Sequence, residues 1–232
     1  MTYLSDAHRF RKLVAGACMV LAPLVLLVGA VVHPEMETSE AAQLAVIVDE
    51  PDRWYVAHLI LLCSVALAVP AVLGLMHMLR EREVAFGHLG GGLALLGLLA
   101  STGVVAMEFV AWQAAAGSRA EMVALFERLN DSAGVLIPFF LVSFGFALGM
   151  VLLAMGLYRA RAVQWWMSLF IAVAAICLAI GVPAALNWLT IVGAAFLVVG
   201  LGSIGRMVLT ETDEDWEHTP EYKGFRPMLG MR

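Results

Sequence analysis

Charged residues are scarce in this sequence. They make up 14% of its 232 residues, where roughly 25% is usual for a soluble domain. The mean hydropathy of +0.88 agrees with that deficit. Uncharged apolar runs of about 18 or more residues are typical of transmembrane helices, and such runs take up almost the whole chain. The composition therefore predicts one membrane domain in contact with the lipid bilayer and leaves no room for a separate soluble domain.

The sequence also lacks three features, and the lack of each one argues against a class of protein or structure. The three cysteines, Cys18, Cys63 and Cys177, all lie inside apolar runs, so a disulfide framework is not expected. Lys and Arg form no clustered basic face, which argues against nucleic-acid binding. Segments of alternating polarity are also missing, so the spans are expected to be helices rather than the strands of a membrane barrel.

Six apolar runs define the predicted topology. An α-helix rises about 1.5 Å per residue, so about 20 residues cross a hydrocarbon core of roughly 30 Å. We expect an all-α, six-helix transmembrane bundle over residues 13–209, preceded by an amino-terminal segment, 1–12, and followed by a polar tail, 210–232. The runs cover residues 13–32, 56–79, 89–112, 135–158, 165–182 and 185–204.

The distribution of positive charge predicts the orientation. Most of the 14 Lys and Arg residues precede the first run, follow the second, fourth or sixth run, or lie in the tail. Only Arg53, Arg119 and Arg128 fall at the other ends of the runs. By the positive-inside rule, both termini are cytoplasmic in a multi-pass protein of the cell inner membrane.

The second, fourth and sixth runs share a pattern that suggests three hairpin repeats. In each run a hydroxyl residue is followed by Ala, Val and Arg at 4, 8 and 16 positions further on. Ala and Val are abundant throughout, and Arg at these ends follows from the topology, so chance similarity is the alternative. The three sets are Ser64, Ala68, Val72 and Arg80, then Ser143, Ala147, Val151 and Arg159, then Thr190, Ala194, Val198 and Arg206.

Small residues predict close packing between helices, because lipid provides no hydrophobic drive for helix association. Gly145 and Gly149 form a small-x-x-x-small pair in the fourth run. Four more glycines gather near the start of the third run: Gly90, Gly91, Gly92 and Gly97. We expect a compact bundle, and a homo-oligomer that uses the same faces is the alternative.

Two connections on the outer side are long, and each has the pattern of a short amphipathic helix. In the first, Ser39 can cap a helix that begins at Glu40, and Pro51 predicts that this helix stops by Glu50. Its apolar face would consist of Ala41, Leu44 and Val48.

The second connection contains Ser118 three residues before Glu121, which is the spacing of a capping box. An apolar stripe follows at Met122, Leu125, Phe126 and Leu129. Amphipathic helices of this kind lie on lipid or pack over the mouth of the bundle. Because these two carry few Lys and Arg residues, packing on protein is favoured.

Three polar residues lie at one depth, near the outer ends of the first three runs: His33, His58 and Glu108. Two imidazoles and a carboxylate can hold a metal ion, with zinc the plainest candidate, or a small anionic or polar ligand. The alternative is that they are ordinary boundary residues, since shared depth does not establish a shared face and no H-x-x-x-H spacing is present. A carboxylate inside an apolar run is nevertheless a default site hypothesis.

Haem is a further candidate, held singly between His33 and His58. A pair of stacked haems is not expected, because His58 and His77 on one run are about 28 Å apart by helical rise and about 100° apart around the helix. Catalytic motifs are lacking, so an enzyme is the last of the hypotheses.

The tail, residues 210–232, is polar and acidic in its first part. It has too few apolar residues to form a core, which favours disorder. Its aromatic residues, Trp216, Tyr222 and Phe225, support the alternative of a docking segment for a cytoplasmic partner.

The topology and the motif RWYVAH, residues 53–58, resemble the small six-helix bacterial membrane proteins of unknown function. That resemblance implies the fold and no activity. The leading functional hypothesis is a non-catalytic protein whose outer pocket binds a metal ion or small ligand. The alternatives are an accessory or scaffolding subunit of a larger membrane complex, and a transporter, although the membrane midplane lacks charges to bind a polar substrate.

Overall fold

The computed structural model describes residues 7–218, and every regular element within that range is helical, as predicted. Five helical segments are long and apolar enough to cross a membrane: α1 (Ala7–Val32), α3 (Pro51–Met78), α4 (Val84–Ala114), Ala133–Arg159 and α9 (Asn187–Thr210). The segment Ala133–Arg159 consists of α6 (Ala133–Phe140), a π-helical stretch at Leu141–Gly145 and α7 (Phe146–Arg159). The shorter helices are α2 (Glu40–Asp49), α5 (Arg119–Asn130), α8 (Trp165–Gly181) and α10 (Asp213–Trp216).

The shorter apolar helix α8 corresponds to the fifth predicted run. It has 17 residues, which rise about 25 Å. It runs antiparallel to α9, because Gly193 of α9 packs on Cys177 while Gly200 packs further back along α8, on Met167.

The apolar helices form a closed ring. In order around the ring they are α3, α1, α9, α8, α7 and α4, and α4 packs back on α3. The first helix of the chain therefore lies between α3 and the last long helix. Large side chains such as Leu89, Leu99 and Trp188 are exposed, as expected of a ring that lipid surrounds.

Glycines bring the backbones of α4 and α7 into contact. A Cβ atom added at Gly149 would lie 2.4 Å from the Ala94 amide nitrogen and 2.6 Å from the Gly90 carbonyl oxygen. A Cβ atom at Gly97 would lie 2.8 Å from the Phe146 amide nitrogen. Only residues without a side chain let the two helices approach so closely.

Two of the glycines expected at helix contacts play no such part. A Cβ atom at Gly92 would meet nothing within 4 Å. One at Gly145 would meet only Leu141, which belongs to the same helical segment. The glycine content of the sequence therefore indicated which helices pack closely. Which of the glycines lie at the helix contact depends on how each helix is rotated about its axis.

The two ends of the ring differ. The start of α1 and the chain just after α9 lie together at what we call the terminal end, where His8 Nδ1 donates to Glu217 Oε1 at 2.6 Å. The opposite end, which we call the roof end, carries α2 and α5, and these two helices pack on each other.

The first part of the tail packs on the terminal end, which differs from the predicted disorder. Trp216 of α10 is 3% exposed, and its ring stacks on His77 with 4.4 Å between centroids. Lys12, which is 6% exposed, pairs with Asp213 and donates to the Glu211 carbonyl oxygen at 3.0 Å. A helix as short as α10 has no stability of its own, so its order comes from docking.

Parts of both predicted end segments lie outside the described residues, namely 1–6 and 219–232. Within the described range, residues 7–12 of the predicted amino-terminal segment belong to α1.

The three repeated hydroxyl positions have different surroundings. Ser64 and Ser143 are buried, and Ser64 Oγ donates across to the Ala22 carbonyl oxygen of α1 at 3.0 Å. Thr190 is half-buried and donates within its own helix, to the Leu186 carbonyl oxygen. A common origin of the three hairpins stays a prediction.

Candidate functional site

The predicted residue His33 lies at the roof end, directly after α1. Its Nδ1 donates to the carbonyl oxygen of Pro34 at 2.7 Å. Arg53, at the start of α3, donates from Nε to the Val32 carbonyl oxygen at 2.7 Å and from a terminal nitrogen to the His33 carbonyl oxygen at 3.2 Å. A cation at these last carbonyls suits the negative end of a helix dipole, and it fixes the position of His33.

His58 lies in the second turn of α3 and is 4% exposed. Its Nδ1 donates to the Trp54 carbonyl oxygen at 2.8 Å, one helical turn earlier. A carbonyl oxygen can only accept, so in both histidines the proton is on Nδ1, and Nε2 of a neutral ring carries the lone pair.

The structure brings His33 and His58 together. Their ring centroids are 4.9 Å apart. The Trp54 ring lies against both imidazoles, with its centroid 5.1 Å from His33 and 4.5 Å from His58. Shared depth in the sequence therefore did correspond to a shared position for the two histidines.

Glu108 of α4 is near this cluster through its backbone. Trp54 Nε1 donates to the Glu108 carbonyl oxygen at 3.3 Å, and the Glu108 side chain is half-buried. Across residues 7–218, no three His, Cys, Asp or Glu side chains gather as ligands for a metal ion. Of the three predicted ligands, the structure therefore brings the imidazoles of His33 and His58 together. A role of the Glu108 carboxylate as a ligand stays a prediction.

The distance between the rings distinguishes kinds of metal group. With metal–nitrogen bonds of about 2.0–2.1 Å, two imidazoles at the tetrahedral angle hold their centroids about 5 Å apart, and two on opposite sides of an ion about 6 Å apart. The observed 4.9 Å fits neighbouring ligands of one tetrahedral ion. It does not fit a haem held between the two rings.

Burial affects the charge of His33. Burial lowers the pKa of this imidazole, and the Arg53 guanidinium lowers it further, against the hydrogen bond to Pro34, which raises it. His33 is therefore neutral at neutral pH, and a neutral imidazole is the form that binds a metal ion.

A roof of two short helices covers this end of the ring. The buried side chains that join α2 and α5 to the bundle are Leu44, Ile47, Trp54, Ala111 and Phe126. This cluster agrees with the expectation that the two amphipathic helices pack on protein.

The helix boundaries in the roof follow the predicted signals, but one predicted face does not. Ser39 Oγ accepts from the Ala42 amide at 3.3 Å at the start of α2. The buried face of α2 is formed by Leu44 and Ile47, whereas Ala41 and Val48 are exposed. At the start of α5, Ser118 makes no capping hydrogen bond through its side chain, so the predicted capping box is absent.

The histidines have aromatic neighbours that were not predicted from the sequence. Tyr55 packs on Phe109 and Trp112, with ring centroids 5.5 Å and 4.8 Å away, and Phe109 also lies 6.3 Å from the His58 ring. The signal was present in the motif RWYVAH, where Trp54 and His58 are four residues apart and so share a helix face.

Comparison of the chain with protein families, curated proteins and solved structures finds no match.

Proposed function

We propose that this multi-pass membrane protein is a non-catalytic protein that binds a metal ion at its roof end, through His33 and His58. The observation that carries the proposal is the pair of adjacent imidazoles, each with Nδ1 bonded to a backbone carbonyl. Backbone carbonyls are usual outer partners of metal-binding histidines, because they fix the tautomer and the orientation of the ring.

Zinc is the ion that suits these donors best, since it accepts neutral imidazole in tetrahedral geometry. Two imidazoles fill two of four positions. The remaining positions would be filled by water, by a small anionic ligand or by the Glu108 carboxylate, which lies on the neighbouring helix α4.

The proposal includes six membrane crossings with cytoplasmic termini. The contact between His8 and Glu217 at one end of the ring supports an even number of crossings. α8 supplies the sixth crossing beside the five longer segments. Most of the Lys and Arg residues within 7–218 lie at the terminal end, which the positive-inside rule assigns to the cytoplasm.

Zinc titration of the purified full chain tests the site. After removal of bound metal with a chelator, calorimetric titration with zinc chloride should show one site. His33→Gln and His58→Gln should each weaken that site by more than about tenfold, because removal of a ligand costs at least as much as removal of an outer partner. Glu108→Gln reports whether the carboxylate is a further ligand.

His88→Gln is the matched control. His88 Nδ1 bonds the Val84 carbonyl oxygen four residues earlier at 2.9 Å, in the same manner as His58, but His88 is exposed and belongs to α4. This variant should bind zinc as the original chain does. Absence of a zinc site, or a site that survives both roof substitutions, would disprove the proposal, provided that thermal unfolding shows each variant folded.

An accessory subunit of a larger membrane complex is the second candidate, and one groove favours it. The groove lies between α1 and α3, has a volume of about 440 Å³ and is lined only by apolar side chains and one thiol. The lining residues are Leu24, Val25, Val28, Leu59, Ile60 and Cys63. Purification in mild detergent should then recover a stable partner, and Val28→Trp, which fills the groove, should release it.

A further inference from the structure

The ring of helices encloses a cavity of about 150 Å³. All the apolar helices contribute to its wall, including the segment Ala133–Arg159 and α8. It lies at a different depth from the histidine pair, because Ser64 in its wall is six residues beyond His58 on α3, about 9 Å along the helix. The cavity is therefore a separate feature from the proposed metal site.

The wall of the cavity is apolar apart from three hydroxyl groups, and it contains no charged residue. Two of the hydroxyl groups already donate to backbone carbonyl oxygens. Ser64 Oγ donates to Ala22 at 3.0 Å, and Ser101 Oγ donates to Gly97 at 2.9 Å. An ion or a charged molecule would find no countercharge in this cavity.

Ser143 differs from the other two serines. It is 4% exposed, and its hydroxyl group has no hydrogen-bond partner. It lies in the π-helical stretch Leu141–Gly145, and it does not make the bond to the carbonyl four residues earlier that Ser101 makes. Short π-helical stretches inside α-helices occur frequently at functional sites, and a buried hydroxyl without a partner is costly.

We propose that this cavity binds a small, neutral, lipid-soluble molecule that accepts a hydrogen bond from Ser143. The apolar wall selects an apolar body. The volume fits a body about the size of a benzene ring with a short substituent, since apolar cavities of about 150 Å³ hold benzene in other proteins. The free hydroxyl hydrogen of Ser143 selects one acceptor atom, as in a ketone, ester or ether.

Fluorine NMR of the full chain in detergent tests this proposal with two matched probes. 4-Fluoroacetophenone has a carbonyl acceptor, and 1-ethyl-4-fluorobenzene has nearly the same shape without one. We expect saturable binding of both, with the ketone bound about fivefold more tightly, which is the effect of one hydrogen bond. Ser143→Ala should reduce the ketone affinity to that of the ethyl compound.

Ala147→Phe serves as the filled-cavity control, because Ala147 lies in the cavity wall, and Ala68→Val is a milder version at another wall position. Filling the cavity should remove saturable binding of both probes and leave only partition into the micelle. Thermal unfolding identifies any variant that fails to fold.

Two results would overturn the proposal. Equal signals from the original chain and the filled variants would mean that the cavity takes no organic ligand and holds at most water. A preference for the ketone that persists in Ser143→Ala would mean that another group provides the hydrogen bond. His33→Gln and His58→Gln should leave the probe affinities unchanged, so the fate of the metal site does not affect this test.

Discussion

Gly149 determines how closely α4 and α7 can approach. In Gly149→Ala the new methyl group would meet two backbone atoms of α4, the Ala94 nitrogen and the Gly90 oxygen, at 2.4 and 2.6 Å. Backbone atoms cannot rotate away as a side chain can, so the helices must separate. We expect a loss of about 1–3 kcal/mol in the free energy of unfolding, measured in detergent by thermal or denaturant unfolding.

Gly92→Ala is the matched control for that prediction, because Gly92 lies on the contacting helix α4 and nothing is within 4 Å of its added methyl group. It should be neutral or slightly stabilising, because alanine favours a helix by up to about 1 kcal/mol over glycine. Equal destabilisation by the two variants would show that helix flexibility, rather than contact, makes the glycines necessary.

The site residues show which of their properties could be predicted from the sequence and which could not. Counting residues from the ends of the apolar runs placed His33 and His58 at one depth, and in the structure their rings are adjacent. The same count gave Glu108 an equal depth, but it could not give the direction of its side chain. Depth depends on helical rise alone, whereas direction depends on how each helix is rotated against its neighbours.

At the scale of elements, the docked tail is expected to respond to pH. Burial raises the pKa of Glu211, which directly follows α9, to about 7, and Asp215 raises it as well, against the opposing effect of Lys12. Between the ordinary pKa of 4.5 and about 7, the docked state therefore binds more protons than the free tail does. As the pH rises from about 5 to about 8, Glu211 loses this proton and docking should weaken.

The fluorine signal of Trp216 in protein labelled with fluorotryptophan measures this change. Glu211→Gln should keep the tail docked across this range of pH, because the amide carries no charge at either end of it. Identical pH profiles of the two proteins would show that Glu211 does not control docking.

Elements were predictable where local signals determine them. Ser39 and Pro51 gave the limits of α2, because a cap and a proline act through neighbouring backbone groups. α10 escaped prediction because its order depends on the fit of Trp216 against His77, which lies 139 residues away in the chain. The buried face of α2 also differs from the prediction, since Ile47 belongs to the buried cluster that includes Phe126 of α5, whereas Val48 is exposed.

At the scale of the whole molecule, the proposed topology is open to direct test. Each of three exposed positions is changed to cysteine in turn: Ala7 and Glu214 at the terminal end and Glu127 in the roof. A membrane-impermeant maleimide applied to intact cells should label Glu127→Cys only, and the other two should react after permeabilisation. The native cysteines lie within the apolar helices and should stay unlabelled.

Opposite labelling of Ala7→Cys and Glu214→Cys would contradict an even number of crossings. Such a result would also be incompatible with the contacts between α1 and the segment after α9, because these contacts require both to lie on the same side of the membrane. The fold class and the order of the helices were readable from hydropathy, but the closure of the ring was not, because hydropathy says nothing about which helices become neighbours.

The position of α1 between α3 and α9 has a consequence for biogenesis. Gly16 and Met19 of α1 pack against Gly205 of α9, so one flank of α1 has no partner until α9 has been synthesised. During translation the ring of helices is therefore open between α1 and α8. It closes only when α9 leaves the translocon and packs between them. Truncation before α9 should therefore leave a membrane-inserted product that quality-control proteases recognise by this bare flank of α1.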